Sequence, residues 1–254
     1  MRKVVQTLRP ELVVHLADPK IRGIDMPSYR KGYDISLIGS INFIEACAEL
    51  SNIKKFVFLG SCEEYGYQKT PYEESAREYP VSAYGVSKLA VTKLLEALAQ
   101  TIDFPSVILR PSVVYGPGQK TDMFLPALIK TLLSNERFSM TSGKQTRDYL
   151  YIKDLIEAIV QTLIISNING RIINVSSAKP IHIADLAIKV EKLIGCGAET
   201  LLDFGKKEYR PWDTMNYCAT NLLAKELLDW SPSVSLKDGL RQTIESFHSS
   251  SEVI

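Results

Sequence analysis

Tyr84 and Lys88 stand four residues apart in Tyr84-Gly85-Val86-Ser87-Lys88. On a helix that spacing puts both side chains on one face, one turn apart. A free phenol titrates near pH ~10. A neighbouring ammonium favours the phenolate and lowers that value. Phe56-Val57-Phe58-Leu59-Gly60-Ser61 precedes the pair and reads as a strand whose end delivers a serine hydroxyl. Serine holding a carbonyl or hydroxyl oxygen beside a tunable phenol is chemistry for moving a hydride and a proton on an alcohol or ketone. Tyr and Lys four apart are also an ordinary solvated helix face, so the weight rests on the surrounding order of elements.

Those elements alternate as a parallel α/β sheet requires. Leu12-Val13-Val14-His15-Leu16-Ala17 reads as a buried strand with His15 in the core. Residues 36–50 read as a helix with Ile38, Ile41, Phe43, Ile44, Ala46 and Cys47 on the packed side. Residues 56–59 form the next strand, 82–100 the helix carrying the Tyr/Lys pair, and 107–110 and 172–175 two more strands. Residues 150–165 and 183–194 read as helices. The turn Tyr115-Gly116-Pro117-Gly118 marks where the chain leaves the sheet. Segments 116–146 and 177–220 look like pieces of a smaller lobe. Gly195-Cys196-Gly197 follows a helix and reads as its C-cap.

Composition narrows the function classes. The 254 residues are 45% hydrophobic and 23% charged with net charge +1, which gives no electrostatic case for nucleic acid or an anionic membrane. No apolar run reaches the roughly 20 residues that span a bilayer. Cys47, Cys62, Cys196 and Cys218 are scattered, a pattern that suits a reducing cytoplasm. His15, His182 and His248 stand at no metal-ligand spacing, so no metal site is expected. None of the 14 glycines forms the G-x-G-x-x-G turn that seats a pyrophosphate on a helix N-terminus.

Read in order, the chain resembles the extended short-chain dehydrogenase/reductase family, in its nucleotide-sugar epimerase/dehydratase/reductase branch. Val14-His15-Leu16-Ala17 resembles the strand under the cofactor, and Gly39-Ser40-Ile41-Asn42-Phe43-Ile44-Glu45-Ala46 the helix that follows. Ser61-Cys62-Glu63-Glu64-Tyr65-Gly66 resembles the S/T-x-x-x-Y-G strand end, and Pro80-Val81-Ser82-Ala83-Tyr84-Gly85-Val86-Ser87-Lys88 the catalytic helix. Leu109-Arg110-Pro111 with Val114-Tyr115-Gly116-Pro117-Gly118, then Arg147-Asp148-Tyr149-Leu150-Tyr151-Ile152-Lys153-Asp154, Arg210-Pro211-Trp212-Asp213 and Trp230-Ser231-Pro232 continue the match.

The resemblance implies a partial Rossmann-like, doubly wound parallel sheet, its first strands missing, with a small α/β substrate lobe. Residues 1–115 would be the C-terminal part of the NAD(P)-binding domain. Residues 116–254 would be mainly the nucleotide-sugar lobe, with 147–176 returning to the sheet. Met1 would be an internal methionine, with roughly 55–65 residues upstream, about two βα units and a strand.

Tyr84 would be the general acid/base, with Lys88 lowering its pKa and holding the nicotinamide ribose, and Ser61 would hydrogen-bond the reacting oxygen. Glu63 sits where sugar dehydratases carry a catalytic Glu. Cys62 stands where dTDP-sugar dehydratases place an Asp, and Glu63-Glu64-Tyr65-Gly66 looks more like the E-E-Y-G of 4-keto-6-deoxy-sugar reductases. Ala17, Ser36, Pro111 and Val114 would join Tyr84 and Lys88 at the cofactor, NAD or NADP. Arg147 and Arg210 would clamp the substrate diphosphate, with Asp213 orienting Arg210 or touching a ribose. Val113 and Met123 replace frequent substrate-contacting asparagines, and Ser36 another common asparagine.

The implied activity is oxidoreduction at C4 of a nucleoside-diphosphate hexose, as reductase or 4-epimerase, in a homodimer. The alternatives are a 4,6-dehydratase using Glu63 and an inactive nucleotide-sugar-binding domain. Without the glycine turn, residues 1–254 are expected to bind NAD(P) weakly. Isothermal titration calorimetry checks this: micromolar or tighter binding would contradict it.

Overall fold

The structure, a computed structural model, describes residues 1–197 and 199–249. The first elements are α1 (Arg2–Leu8), β1 (Leu12–His15), α2 (Met26–Gly32), α3 (Ile38–Ala48), β2 (Lys55–Leu59), α4 (Ala83–Ile102), β3 (Ser106–Pro111), β4 (Val113–Tyr115) and α5 (Phe124–Leu133). They continue with β5 (Phe138–Ser139), β6 (Thr146–Tyr151), α6 (Ile152–Ile164), β7 (Ile172–Val175), β8 (Pro180–His182), α7 (Ile183–Ile194), β9 (Leu202–Asp203), α8 (Leu222–Leu228) and α9 (Leu236–Ser249). They fall into two compact units.

The first unit comprises Met1–Pro111, Glu157–Val175 and Ala219–Trp230. Its sheet is four-stranded and parallel, in the order β1-β2-β3-β7. β2 and β3 read as continuous apolar runs because each pairs on both sides and is buried on both faces. β1 pairs with β2 alone, and its first residue Leu12 and the following Leu16 are half exposed. One side of the sheet is packed by Val13, Ile44, Cys47, Phe56, Phe58, Val91, Leu95, Phe104 and Ile108.

The second unit comprises Ser112–Ile156, Ser176–Cys218 and Ser231–Ile254. Its three-stranded sheet runs β4-β6-β8, with β4 and β6 parallel and β8 antiparallel to β6. Tyr115, Leu128, Ile129, Tyr149, Leu186, Val190 and Leu240 lie in its core.

Several expectations are corrected. The first unit ends at Pro111 rather than 115, the return runs from 157 to 175 rather than 147 to 176, and a second return covers 219–230. Strand pairing is the reason: β4 and β6 pair with each other in a sheet of their own, so 147–151 does not join the four-stranded sheet. Leu150 and Tyr151 accordingly belong to a strand, and the helix starts at Ile152. The helix expected from residue 36 starts at Met26. Asp25 caps it by accepting from the Ser28 N–H (2.8 Å), Pro27 suits its first turn, and it passes through a π-turn at Tyr33–Leu37 before α3. Ile38 and Ile41, expected to pack inward, are 47% and 36% exposed, because the π-turn rotates the face that continues inward to Ile44, Ala46 and Cys47. No helix among the described residues is long and apolar enough to cross a membrane.

His15 lies in the core as expected, 7% exposed. Its Nε2 hydrogen-bonds Ser40 Oγ at 2.8 Å, and Phe43, Phe56 and Phe58 surround the ring. Burial first, then the Lys88 charge, pushes its pKa down to about 4, with Asp18 opposing. The folded value is below the unfolded one of 6.5, so the stability is complete above pH 6.5 and is lost as pH falls toward 4. The loss should reach about 3 kcal/mol, from 1.36 kcal/mol per unit. Urea unfolding of wild type and His15→Gln between about pH 7.5 and 4.5 measures it, and wild type should lose more.

Candidate active site

Ser61 follows β2 at the C-terminal end of the parallel sheet, and Cys62–Glu64 form one 3₁₀ turn. Ser61 Oγ accepts from the Glu63 N–H at 3.1 Å, and the Ser61 N–H donates to Glu64 Oε1 at 2.8 Å. This reciprocal cap locks the strand end. Gly60 is required beside it, since a Cβ there would lie 2.5 Å from Glu64 Oε1.

Glu64 is fully buried, and Arg110 of β3 is its counter-ion. Arg110 Nη2 and Nε lie 2.7 and 2.9 Å from Glu64 Oε2. Thr92 of α4 donates to the same oxygen at 2.9 Å. Arg110 also reaches Glu78 at 2.9 Å and lies over the Tyr65 ring. The cluster therefore ties β2, β3 and α4 to the turn that carries Ser61 and Glu63.

Ser82 caps α4 by accepting from the Gly85 N–H at 3.1 Å. Gly85 lets the helix start approach the 3₁₀ turn, since a Cβ there would be 2.7 Å from the Glu63 carbonyl oxygen. Tyr84 and Lys88 share the inward face, 7% and 2% exposed. Lys88 Nζ donates to the Leu59 carbonyl at 2.7 Å, faces the Phe58 ring at 4.7 Å and stands 5.8 Å from the Tyr84 ring centroid.

Residues 16–24 add two groups the sequence reading did not single out. Asp18 Oδ2 lies 3.5 Å from Lys88 Nζ, and Arg22 Nη2 lies 3.0 Å from Glu63 Oε1. Arg22 also lies over the Tyr84 ring, 5.9 Å from its centroid. Glu63 Oε2 accepts from Ser82 Oγ at 3.2 Å, so both its oxygens are engaged.

Electrostatics correct one expectation. The Tyr84 phenol is pushed up, by burial first and then by the charges of Glu63 and Asp18; a hydrogen bond with Ser61 and the Arg22 charge oppose without reversing it. Burial depresses Lys88 itself, with Asp18 and Glu64 opposing.

In the second unit Arg147 is fixed by its neighbours. Nη2 pairs with Asp213 Oδ1 at 2.5 Å, and Nη1 donates to the Thr146 and Thr214 carbonyls at 2.7 and 2.8 Å. Asp148 holds the adjoining loop by accepting from the Ser177 and Ala178 N–H groups at 3.0 and 3.1 Å. Asp213 thus orients Arg147 rather than Arg210. The Arg210 side chain is exposed and its carbonyl accepts from the Asp213 N–H at 2.9 Å.

The remaining expected residues lie in or beside these elements. Ala17 is exposed after β1, and Ser36 is buried with its carbonyl accepting from Ser40 Oγ at 2.5 Å. Pro111 ends β3, Val113 and Val114 lie in β4, and Met123 precedes α5. Within the first unit the structure gathers Ser61, Glu63, Tyr84 and Lys88; within the second it joins Arg147 to Asp213.

A parallel sheet ending in a serine turn, beside a helix that carries Tyr and Lys one turn apart, defines a Rossmann-like α/β fold of the short-chain dehydrogenase/reductase class. Comparison with known proteins makes this specific. The family described as NAD dependent epimerase/dehydratase family matches residues 1–176. An uncharacterized UDP-glucose epimerase, YtcB, of Bacillus subtilis is 34% identical over 202 residues, covering 79% of this chain and 62% of YtcB. Human dTDP-D-glucose 4,6-dehydratase is 27% identical over 257 residues, covering 96% of this chain and 71% of that one. The crystal structure of Bacillus cereus UDP-glucuronic acid 4-epimerase with UDP-glucuronic acid and NAD superposes with a TM-score of 0.88 at 30% identity, covering 98% of this chain and 78% of that one. The chain belongs to the NAD dependent epimerase/dehydratase family, within the extended short-chain dehydrogenases/reductases. It spans 62% of the length of the B. subtilis relative.

The residues present fit the nicotinamide riboside end of NAD. An ammonium has three N–H donors. Leu59 and Asp18 engage two from Lys88, which leaves one for a ribose hydroxyl beside the Tyr84 phenol.

The buried Glu64–Arg110 pair makes a prediction. Glu64→Gln should destabilise the protein by up to about 3–5 kcal/mol, because the buried Arg110 charge loses the nearer of its two carboxylates and keeps only Glu78. Glu64→Gln/Arg110→Met should recover part of that loss. Urea unfolding of the two variants measures it.

Proposed function

We propose that this chain performs NAD-dependent oxidoreduction at C4 of a nucleoside-diphosphate hexose, in the manner of a 4-epimerase or 4-keto reductase. The observation that carries the reading is the buried assembly of Ser61, Tyr84 and Lys88 at the C-terminal end of the parallel sheet. The nicotinamide, when bound, supplies or accepts the hydride. Tyr84 exchanges a proton with the C4 oxygen, Ser61 hydrogen-bonds that oxygen, and Lys88 holds the ribose. Ala17, Ser36, Pro111 and Val114 are assigned to the cofactor's surroundings and Val113 to the sugar's. Arg147, held by Asp213, is assigned to the substrate diphosphate with Arg210 as a second cation, since guanidinium forks match phosphate oxygens. A UDP-sugar is the first choice, because the B. subtilis and B. cereus relatives are named for UDP-sugars. A homodimer is supported by the exposed row Ile35, Ile38 and Ile41, at 46%, 47% and 36%.

The rival is 4,6-dehydration through Glu63, favoured by likeness to the human dehydratase. Against it, Arg22 and Ser82 engage both Glu63 oxygens, and taking up a proton would require parting from one of them.

The test supplies UDP-glucose or UDP-glucuronic acid with millimolar NAD and follows the products by NMR. A 4-epimer, or with reduced cofactor a 4-hydroxy product from a 4-keto sugar, is expected. Tyr84→Phe should lower turnover by a factor of ~10²–10⁴ while sugar-nucleotide binding persists. Glu63→Gln should keep much of the turnover; accumulation of a 4-keto-6-deoxy sugar that Glu63→Gln abolishes would establish the dehydratase instead. Thermal stabilisation by the nucleotide sugar, without response to NAD or turnover, would overturn both in favour of a binding domain.

A further inference from the structure

Tyr209 immediately precedes Arg210, on a stretch that the proposed chemistry touches only through Arg210 and Asp213. Arg210-Pro211-Trp212-Asp213 is a β-turn, closed where the Asp213 N–H donates to the Arg210 carbonyl at 2.9 Å. Pro211 fills its second position, where a fixed φ suits such a turn. The far end of the turn is tied to β6. Asp213 pairs with Arg147 at 2.5 Å, Arg147 Nη1 donates to the Thr214 carbonyl at 2.8 Å, and the Thr146 N–H donates to the Met215 carbonyl at 2.8 Å. The near end is tied through the Tyr209 hydroxyl, which accepts from the Lys144 N–H at 2.9 Å and hydrogen-bonds Ser142 Oγ at 2.8 Å. The next attachment upstream is the Lys207 N–H, which donates to the Met140 carbonyl at 3.1 Å. The segment that receives Tyr209 is itself fastened to the first turn of α7. The Ile183 and Ala184 N–H groups donate to the Gln145 and Gly143 carbonyls at 2.9 and 3.0 Å, and His182 Nδ1 lies 2.8 Å from the Lys144 carbonyl oxygen. Gly143, at φ 72°, permits the close approach, since a Cβ there would be 2.6 Å from the Ala184 nitrogen. Tyr209 is thus a strut between a fastened base and the turn that presents Arg210.

We propose that Tyr209 is a positioning residue for the substrate diphosphate, holding the near end of the 210–213 turn so that Arg210 is presented in one fixed frame with Arg147. This rests on the assignment of Arg147 and Arg210 to the diphosphate and adds the group that keeps the second cation in place. Asp213 cannot do this alone, because it fixes the far end of the turn and spends its carboxylate on Arg147. An exposed arginine on a turn loose at one end has more freedom to lose when it grips a ligand, and that loss weakens binding. The hydroxyl, rather than the ring, is the working part, since both of its bonds join the turn to residues 142–144.

The test titrates the full chain with UDP by isothermal titration calorimetry, a readout that needs no turnover. Tyr209→Phe keeps the ring and removes the hydroxyl; its two partners are at the surface, where water replaces it, so the fold should hold. The UDP dissociation constant should rise roughly 3- to 10-fold, and Arg210→Gln should raise it at least as much. The double variant should bind within about twofold of Arg210→Gln alone, because Tyr209 acts through Arg210. Uridine, which lacks the diphosphate, should bind wild type and Tyr209→Phe alike. Ser142→Ala removes one of the two bonds and should give a smaller loss in the same direction, which carries the test should Tyr209→Phe fail to fold. Wild-type affinity for UDP in Tyr209→Phe, beside a weakened Arg210→Gln, would overturn the role of Tyr209 and leave the diphosphate assignment standing. Effects that multiply in the double variant, or an equal loss for uridine, would also overturn it. Unchanged UDP binding in Arg210→Gln would remove the diphosphate assignment and this proposal together. In turnover, KM for the UDP-sugar should rise by the same factor while kcat does not fall; a fall in kcat at constant KM would count against the proposal. Absence of turnover in every protein would remove the reaction at C4, while the UDP titrations would still decide the role of Tyr209.

Discussion

The buried contact between Glu64 and Arg110 is the constraint on which the first unit's site depends. Two charges without solvent exposure are costly unless they meet each other with further hydrogen bonds. Here Thr92, Glu78, the Tyr65 face and the Ser61 N–H supply those partners. Each comes from a different element, so satisfying the pair requires β2, β3, α4 and the 3₁₀ turn to meet in one arrangement. That arrangement sets Ser61 and Glu63 beside Tyr84. The pair is better regarded as a specifier of geometry than as a source of stability, since an apolar replacement of both partners would relieve much of the desolvation cost.

Charge pairing recurs at smaller scale. Lys88 faces Asp18, Arg22 faces Glu63, and Arg147 faces Asp213. Lys88 and Arg147, assigned to cofactor and phosphate, therefore each have an acid within the same unit. A ligand that approaches such a cation competes with a built-in anion, and its binding free energy is reduced by the work of separating the two. In return the cation is held in place before the ligand arrives, which reduces the entropy lost on binding.

Much of this was legible in the sequence, and the misses have physical reasons. β2, β3 and β7 were readable as short apolar runs because parallel strands buried on both faces need nothing else. The helix α4 was readable from Ser82, its cap, and from the Tyr84/Lys88 spacing. α2 was missed because Pro27, Gly32 and several charges mask helical periodicity; Asp25 as N-cap with Pro27 in the first turn was the available signal. The start of α6 was misplaced because Leu150 and Tyr151 continue its apolar pattern backward into β6. Asp18 and Arg22 were invisible, since a loop carries no period. Arg110 and Glu64 were visible only as parts of motifs. Charged residues inside an otherwise apolar strand and beside a strand end are the signal that could have joined them.

Gly85 has a mechanical consequence. With no side chain there, the first turn of α4 rests on the Glu63 backbone with no compliant layer between them. Side-chain rotamers are the usual shock absorbers of a protein interface, and this contact has none. A displacement of the turn is passed to the helix start at nearly full amplitude, so the serine hydroxyl and the phenol travel as one stiff body. The spacing between them then varies far less than the position of either, and thermal motion of the surrounding loops reaches these two groups as a common drift rather than as a change in their separation.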